Sequence, residues 1–247
     1  MSYHPFDRHA EGYERTWGAD PIARRFRARV HAVIEEELPP PATILDVGAG
    51  IGLDAEALAA RGYAVQGIDA SAGMVAVARE RVPGVAFDVE DLLATERGPF
   101  DGALANFGVL NCVPLGQAAG ALSRVVSPGG RAFVVVMPRL HPTFLLQSMA
   151  ALQPRRALAR LRREIDLPLS GGDRLSTRYH SPREVETAFD PFFRTRRVES
   201  LGLLVPPPGS RLPEGVVRLL WAMEQRLRSK AGLRAMGDHV LVVLERR

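Results

Sequence analysis

Short apolar segments alternate with amphipathic segments along residues 43–137. The apolar segments have the length of buried strands. The segments between them carry apolar residues three or four positions apart, as one face of a helix does. The predicted strands are Thr43–Val47, Ala64–Ile68, Val85–Phe87, Asp101–Asn106 and Arg131–Met137. The predicted helices are Leu53–Arg61, Ala72–Arg81 and Leu115–Val126. This alternation predicts an α/β protein with a parallel sheet covered by helices on both faces.

The flanking parts of the chain predict further helices and two closing strands. An amphipathic helix is expected over Asp20–Leu38, within an N-terminal helical segment of residues 1–40, and the prolines that follow end it. The C-terminal elements are expected to be a capped helix at Ser181–Phe189, strands at Phe193–Val205 and His239–Leu244, and a helix at Glu214–Lys230. The whole chain, 1–247, is predicted to be one domain.

The segment from Arg139 to His180 breaks the alternation. It is rich in Pro and Arg, and it predicts two short helices with a loop at Gly171 and Gly172. Because this insertion follows the fifth strand, we expect a helical cap over the strand ends, where open α/β sheets bind their ligands.

The composition is that of a globular protein, with 46% hydrophobic and 24% charged residues among 247. The net charge of +4 is small, which argues against a nucleic-acid partner. No stretch reaches the ~18 apolar residues of a membrane span, and we expect a cytoplasmic protein without a signal peptide. Cys112 is the only cysteine, and the histidines lack metal-ligand spacing, so no metal is predicted.

The strongest functional pattern is a glycine-rich turn between the first predicted strand and the first predicted helix of the alternating region. Gly48, Gly50 and Gly52 allow a tight turn and let a ligand lie against the backbone near a helix N-terminus. Asp46 at the end of the strand would repel the pyrophosphate of a dinucleotide. Leu53 stands where a dinucleotide-binding fingerprint has its third glycine. The pattern therefore favours a ligand that carries an ammonium or sulfonium group.

The run Asp46-x-Gly48-x-Gly50-x-Gly52 resembles motif I of the class I S-adenosylmethionine-dependent methyltransferases. The resemblance continues in order from about Tyr13 to Met137. It implies a doubly wound, seven-stranded Rossmann-like sheet, mostly parallel with an antiparallel last strand. It also implies S-adenosylmethionine as the cofactor and S-adenosylhomocysteine as its product.

The resemblance also implies which residues bind the cofactor. In the family an acid at the end of the second strand, here Asp69, takes both ribose hydroxyls, and an acid after the third strand takes the adenine amine. Asp91 is favoured for the second role over Asp88 and Glu90. The implied cofactor residues are Tyr13, Asp46, Gly48, Ala49, Gly50, Asp69, Ala70, Met74, Asp91, Leu92, Asn106 and Phe107. Packing in the core is an equally good interpretation of Met74 and Tyr13.

The activity implied is in-line transfer of a methyl group to a small-molecule acceptor. A base is needed only if the acceptor must lose a proton, and the candidates are His141, Tyr179 and His180. Cys112 is expected to be a small buried side chain. Two alternatives are an RNA or protein methyltransferase that docks through the run Arg155–Arg163, and a non-catalytic S-adenosylmethionine-binding protein. The sequence leaves the acceptor atom and the oligomeric state open.

Overall fold

The central sheet has seven strands in the computed structural model, which describes residues 4–153, 162–168 and 173–247. The strands of the chain are β1 (Thr43–Val47), β2 (Ala64–Asp69), β3 (Ala86–Val89), β4 (Phe100–Ala105), β5 (Val126–Val136), β6 (Glu164–Pro168), β7 (Arg174–Arg178), β8 (Phe193–Leu201) and β9 (His239–Arg246). The order across the sheet is β3-β2-β1-β4-β5-β9-β8. The strands β1 to β5 are parallel, and β9 is antiparallel to both of its neighbours. This arrangement confirms the predicted sheet.

The helices lie close to the predicted positions around this sheet. They are α1 (Ala10–Tyr13), α2 (Pro21–Glu37), α3 (Leu53–Ala59), α4 (Ala72–Arg81), α5 (Leu115–Val125), α6 (Pro142–Ala150), α7 (Pro182–Phe189) and α8 (Glu214–Leu227). Local chemistry fixes several of their starts. The Asp20 carboxylate accepts from the first free N–H groups of α2, and Ser181 and Glu184 form a capping box at α7.

The order of the strands reverses beside β1. The strands that follow it, β2 and β3, lie on one side, and β4 and β5 lie on the other. Asp46 of β1 pairs in register with Gly67 of β2 and with Leu104 of β4. Asp46 therefore lies at the topological switch point, beside the crevice in which open α/β sheets bind their ligands.

Two apolar cores cover the two faces of the sheet. On one face α5 and α7 pack on the sheet, with Leu122 and Phe189 fully buried. On the other face α2, α3, α4 and α8 contribute, with Phe26 and Leu58 fully buried. A smaller cluster joins Ala10 of the N-terminal segment to the glycine-rich turn and to α4. The third cluster places the N-terminal segment over the ligand-binding end of the sheet.

The cap differs from its prediction. Residues 139–180 were predicted to hold two short helices, but the described residues show one helix, α6, followed by an antiparallel hairpin of β6 and β7. The predicted loop at Gly171 and Gly172 lies outside the described residues. The backbone groups of β6 and β7 pair with each other in a separate two-stranded sheet, and neither strand joins the main sheet.

The predicted closing strand Phe193–Val205 is shorter than expected, since β8 ends at Leu201. Its last residues turn away because Glu224 of α8 captures their backbone N–H groups instead.

Two further sequence predictions concern Cys112 and the run Arg155–Arg163. Cys112 is exposed and not buried as predicted, because it follows a short turn at the rim of the sheet. Of the run Arg155–Arg163, only Arg162 and Arg163 belong to the described residues, and both are exposed. No helix in the described part of the chain is long and apolar enough to cross a membrane.

Candidate active site

The glycine-rich turn leaves an open space at its centre. Gly48, Gly50 and Gly52 all have positive φ angles, of 65°, 54° and 82°. A methyl group added at Gly48 would come within 2.5 Å of Val109, so that position has no room for a side chain. A methyl group added at Gly50 would meet no atom within 4 Å. Space beside a bare backbone is what a bound ligand requires.

Asp69 connects this turn to the end of β2. Its Oδ2 accepts from Gly50 N at 2.8 Å, and its Oδ1 accepts from Ser71 N at 2.8 Å. Burial raises the pKa of Asp69, and these two backbone N–H groups oppose the shift. Ala49 N donates to Ile68 O at 3.0 Å, which holds the turn against β2. Ala70, directly after the strand, is exposed.

Asp46 is almost fully buried at the end of β1. Its Oδ2 has no hydrogen-bond partner among the described residues. Burial raises the pKa of Asp46 well above its usual value, and the negative charges of Asp54 and Asp69 add to the shift. Arg27 and the backbone N–H of Ala55 oppose it only in part. A buried acceptor of this kind is stabilised by a cationic donor.

A second buried acid, Asp54, stands at the start of α3 and is fully paired. Its Oδ1 lies 2.6 Å from His31 Nε2 and 3.2 Å from Arg27 Nε, and its Oδ2 accepts from Asn106 Nδ2 at 3.0 Å. Burial alone would raise the pKa of Asp54, but Arg27, His31 and Asn106 lower it to about 2. Both oxygens of Asp54 are therefore paired, whereas Oδ2 of Asp46 has no partner among the described residues.

The end of β4 is held in an unusual backbone conformation. Phe107 has a φ of 48°, which is uncommon for a residue other than glycine. The guanidinium of Arg27 lies 4.6 Å from the centre of the Phe107 ring, and the His239 ring contacts the same ring edge-on at 5.3 Å. Asn106 Oδ1 accepts from Phe107 N at 2.9 Å. The Asn106 side chain thus donates a hydrogen bond to Asp54 and accepts one from the backbone of Phe107.

The N-terminal segment covers the glycine-rich turn. Asp7 Oδ1 accepts from Ser71 Oγ at 2.7 Å and from Gly73 N at 3.1 Å, at the start of α4. A methyl group at Gly73 would come within 2.6 Å of Asp7 O, so glycine allows this close approach. Tyr13 and Met74 both belong to the small apolar cluster beneath the segment. Burial raises the pKa of Tyr13 to about 12, so the phenol stays neutral.

The three acids at the end of β3 and directly after it differ in their partners. Asp88 and Glu90 form ion pairs with Arg97, at 2.9 and 2.5 Å. The exposed Asp91 instead accepts from Leu93 N at 2.8 Å and caps the turn that starts at the buried Leu92. Among the three acids, Asp91 is the one that no described arginine engages.

Asn111 brings the cap to the end of β5. Its Nδ2 donates to Met137 O at 3.1 Å and to Arg178 O at 2.6 Å, and its Oδ1 accepts from Met137 N at 2.9 Å. The backbone of His180 also donates to Met137 O at 3.1 Å. Tyr179 and His180 are buried near the carboxyl end of β5.

The candidate bases His141 and His180 differ in their surroundings. His141 is buried with its Nε2 2.8 Å from Thr143 Oγ1 and its Nδ1 3.4 Å from Asp238 Oδ1. His180 Nε2 has no hydrogen-bond partner within the described ranges, and burial lowers the pKa of this imidazole.

Sequence reasoning missed several residues of this site. Arg27, His31 and Asp54 were not proposed, and neither were Asp7 and Asn111. A signal existed for Arg27 and His31, since they stand one helical turn apart beside the apolar face of α2. Asp54 directly follows the glycine-rich turn and could have been considered with it.

Comparison with known proteins places the turn within a recognised domain. Residues 44–130 match the family model described as a methyltransferase domain. The ubiquinone biosynthesis O-methyltransferase of Xylella fastidiosa is 39% identical over 118 residues, covering 44% of this chain and 48% of that protein. The demethylmenaquinone methyltransferase of Renibacterium salmoninarum is 36% identical over 107 residues, covering 42% and 44%. The chain spans about half the length of these curated relatives.

Solved structures share the fold over most of the chain. The 1,6-didemethyltoxoflavin-N1-methyltransferase of Burkholderia thailandensis, solved with 1,6-didemethyltoxoflavin and S-adenosylhomocysteine, aligns with a TM-score of 0.59 at 16% identity. The alignment covers 98% of this chain and 85% of that chain. At this identity the likeness concerns the fold alone.

Proposed function

We propose that this chain, whose residues 44–130 match the model of a methyltransferase domain, transfers a methyl group from S-adenosylmethionine to a small-molecule acceptor. S-adenosylmethionine presents an ammonium group, two ribose hydroxyls and an adenine. Its site must therefore supply a negative charge, hydroxyl acceptors and room beside the backbone.

The buried Oδ2 of Asp46 is the observation that carries this proposal. This atom has no partner among the described residues, and burial raises the pKa of the acid. An ammonium group would pair with Oδ2 and restore the charged form that burial disfavours. The anionic pyrophosphate of a dinucleotide would increase the repulsion instead.

The neighbouring residues fit the rest of the cofactor. Asp69 uses one lone pair of each oxygen for backbone N–H groups and keeps the others for the ribose hydroxyls. The open space at Gly50 admits the ligand beside the backbone. Asp91 and the backbone of Leu92 are free of arginine partners at the end of β3, where the adenine amine would be recognised. Tyr13 and Met74 supply the apolar cover.

When bound, S-adenosylmethionine supplies the electrophilic methyl carbon on its sulfonium. The chain's own part is to hold the acceptor in line and to exclude water, since positioning provides most of the acceleration in such displacements. The N-terminal segment and the cap that Asn111 anchors close the site from two sides.

For acceptors that must lose a proton, we assign His180 as the base. Burial lowers its pKa, which favours the neutral imidazole, and its Nε2 has no hydrogen-bond partner among the described residues. Both ring nitrogens of His141 already face other side chains, Thr143 and Asp238, so we assign this residue a structural role. In turnover assays with an identified acceptor, His180→Asn should remove the acidic limb of the pH profile of kcat/KM. His141→Asn should keep that limb.

Calorimetric titration with S-adenosylhomocysteine, with NAD⁺ in parallel, tests the cofactor assignment. We expect a Kd near 1 μM, or about −8 kcal/mol, for S-adenosylhomocysteine and no binding of NAD⁺. Asp69→Ala should weaken this binding by about 1.5–3 kcal/mol, because charge-assisted hydrogen bonds to the ribose are lost. Binding of NAD⁺ alone would contradict the proposal. A positive result then leads to an acceptor screen with tritiated methyl donor.

A further inference from the structure

A cleft of about 460 Å³ lies between α2 and α8, over the edge strand β8. Its volume lies in the range of small-molecule sites. Four arginines line it, together with a single acid, Glu199. The arginines are Arg25 and Arg29 of α2, Arg197 of β8, and Arg228 at the end of α8. The walls therefore carry an excess of positive charge.

Three of these arginines are already paired. Glu199 accepts from Arg29 Nε at 3.0 Å, from Arg29 Nη2 at 2.9 Å and from Arg197 Nε at 2.6 Å. Arg25 forms an ion pair with Glu214 at the mouth of the cleft. The carboxylate of Glu199 thus accepts three hydrogen bonds from two guanidinium groups, and none of the three comes from Arg228.

Arg228 is the exception. Its side chain is buried, with the residue only 3% exposed, and its Nε and Nη2 have no hydrogen-bond partner among the described residues. The neighbouring acid on its helix, Glu224, is taken by backbone N–H groups of Gly202, Leu204 and Val205. The guanidinium carbon of Arg228 lies 4.7 Å from the centre of the Trp221 ring. This contact with the ring provides no hydrogen-bond acceptor to Nε or Nη2. Burial lowers the pKa of Arg228, and the charges of Glu224 and Glu199 oppose this shift only in part. An anion paired with the free Nε–Nη2 edge would stabilise this buried guanidinium.

The chemistry of the missing partner follows from the unpaired atoms. Nε and Nη2 form the same edge with which Arg29 holds both oxygens of Glu199, and this edge matches a carboxylate or phosphate. We propose that the cleft binds a small organic anion whose phosphate or carboxylate group pairs with Arg228. The exposed side chains of Gln225 and Ser229 line the cleft and supply polar groups for the rest of the ligand.

This site is separate from the proposed cofactor site, although both use α2. Arg27 and His31 of that helix engage Asp54, whereas Arg25 and Arg29 line the cleft. The failure of either assignment therefore leaves the other standing.

The test compares the full chain with Arg228→Met, which keeps the aliphatic stem and removes the guanidinium. Tm is measured at constant ionic strength in sodium chloride, and with part of the chloride replaced by inorganic phosphate, ribose 5-phosphate or acetate. We expect at least one oxyanion to raise the Tm of the wild type, and its Kd from calorimetry to weaken tenfold or more in Arg228→Met. A stronger effect of ribose 5-phosphate than of phosphate identifies an organic phosphate, and an effect of acetate alone identifies a carboxylate.

Arg226→Met, an exposed change on the same helix outside the cleft, should respond like the wild type. In chloride alone, Arg228→Met should be at least as stable as the wild type, because it removes a buried cation without a partner. Equal oxyanion effects in all three proteins, or no effect in any, would overturn the proposal. A large loss of stability of Arg228→Met in chloride would do the same, since the guanidinium would then have a partner within the chain.

Discussion

The carboxylates of Asp46 and Asp54 share one buried cluster, and their surroundings shift their pKa values in opposite directions. Burial acts on both acids, but Asp54 is paired with Arg27 and His31, and its pKa falls to about 2. Oδ2 of Asp46 has no partner in the described part of the chain, and its pKa is raised. Groups whose surroundings separate their pKa values in this way are typical of functional sites.

Replacement of Asp46 should separate binding from stability. Asp46→Asn removes the charge that the ammonium group needs, so we expect the Kd of S-adenosylhomocysteine to rise about tenfold or more. The same change removes a poorly stabilised buried charge, so Tm should stay unchanged or rise. Calorimetry and thermal unfolding measure the two effects.

Asp101→Asn is the matched control. Its carboxylate accepts from Thr43 N and Oγ1, both at 2.8 Å, at the opposite end of the sheet. This variant should lose stability and keep its affinity. Unchanged affinity in a folded Asp46→Asn protein would remove Asp46 from the cofactor site.

Cofactor binding should depend on pH through Asp46. Its pKa is raised in the free folded protein, so the free protein loses stability as pH rises from the ordinary carboxyl range through that raised value. An ammonium ligand favours the carboxylate, so affinity for S-adenosylhomocysteine should increase over the same range, with release of a proton. Calorimetry in buffers of different ionisation enthalpy detects this proton. A wild type that releases none, or an Asp46→Asn variant that still does, would show that another group titrates.

Gly50→Ala should block the site at a modest loss of stability. The added methyl group meets no protein atom within 4 Å, but the φ of 54° is unfavourable for alanine by about 1–2 kcal/mol. We expect a folded protein whose affinity for S-adenosylhomocysteine falls tenfold or more. Gly129→Ala, with a φ of 80° and equally open space, should carry a similar stability loss and full affinity. Retained binding by Gly50→Ala would place the ligand elsewhere.

Asn111→Ala should loosen the cap. Two hydrogen bonds of this buried amide hold Met137 at the end of β5, and a third reaches Arg178 O at the end of β7. Their loss removes the side-chain partner of Met137 N and of Arg178 O, while Met137 O keeps its bond from His180 N. We expect the free energy of unfolding to fall by about 2–4 kcal/mol, as measured by urea denaturation. Ser176→Ala, which removes an exposed hydrogen bond to Glu164, should change it by less than about 0.5 kcal/mol. Equal effects of the two changes would contradict the anchoring role of Asn111.

The strands and helices were predictable because each carries its own hydrophobic period, and the resemblance to the methyltransferases implied how the strands form one sheet. The hairpin of β6 and β7 was not predictable in this way. Glu164–Pro168 and Arg174–Arg178 are short and interrupted by charges, so their strand character depends on pairing with each other. The hydrophobic pattern of either segment alone does not show which strand it will pair with.

The same distinction holds within the candidate site. Asp46, Gly50 and Asp69 lie in one motif or at strand ends, where the sequence itself marks a ligand site. His31 and Asp54 are 23 residues apart, and their contact exists only because α2 packs beside the start of α3. Partners brought together by tertiary packing leave no local pattern to read.

Residues 4–18, which precede α2, are joined to the glycine-rich turn and α4 through a small apolar cluster and the two hydrogen bonds of Asp7. These contacts are few compared with those of the sheet, so we expect residues 4–18 to separate at a fraction of the free energy of global unfolding. The proposed cofactor, held beneath them, would leave only after this separation, with the sheet intact. Amide hydrogens of residues 10–18 should therefore exchange with solvent faster than those of β1 and β4. Saturation with S-adenosylhomocysteine should slow the first group far more than the second.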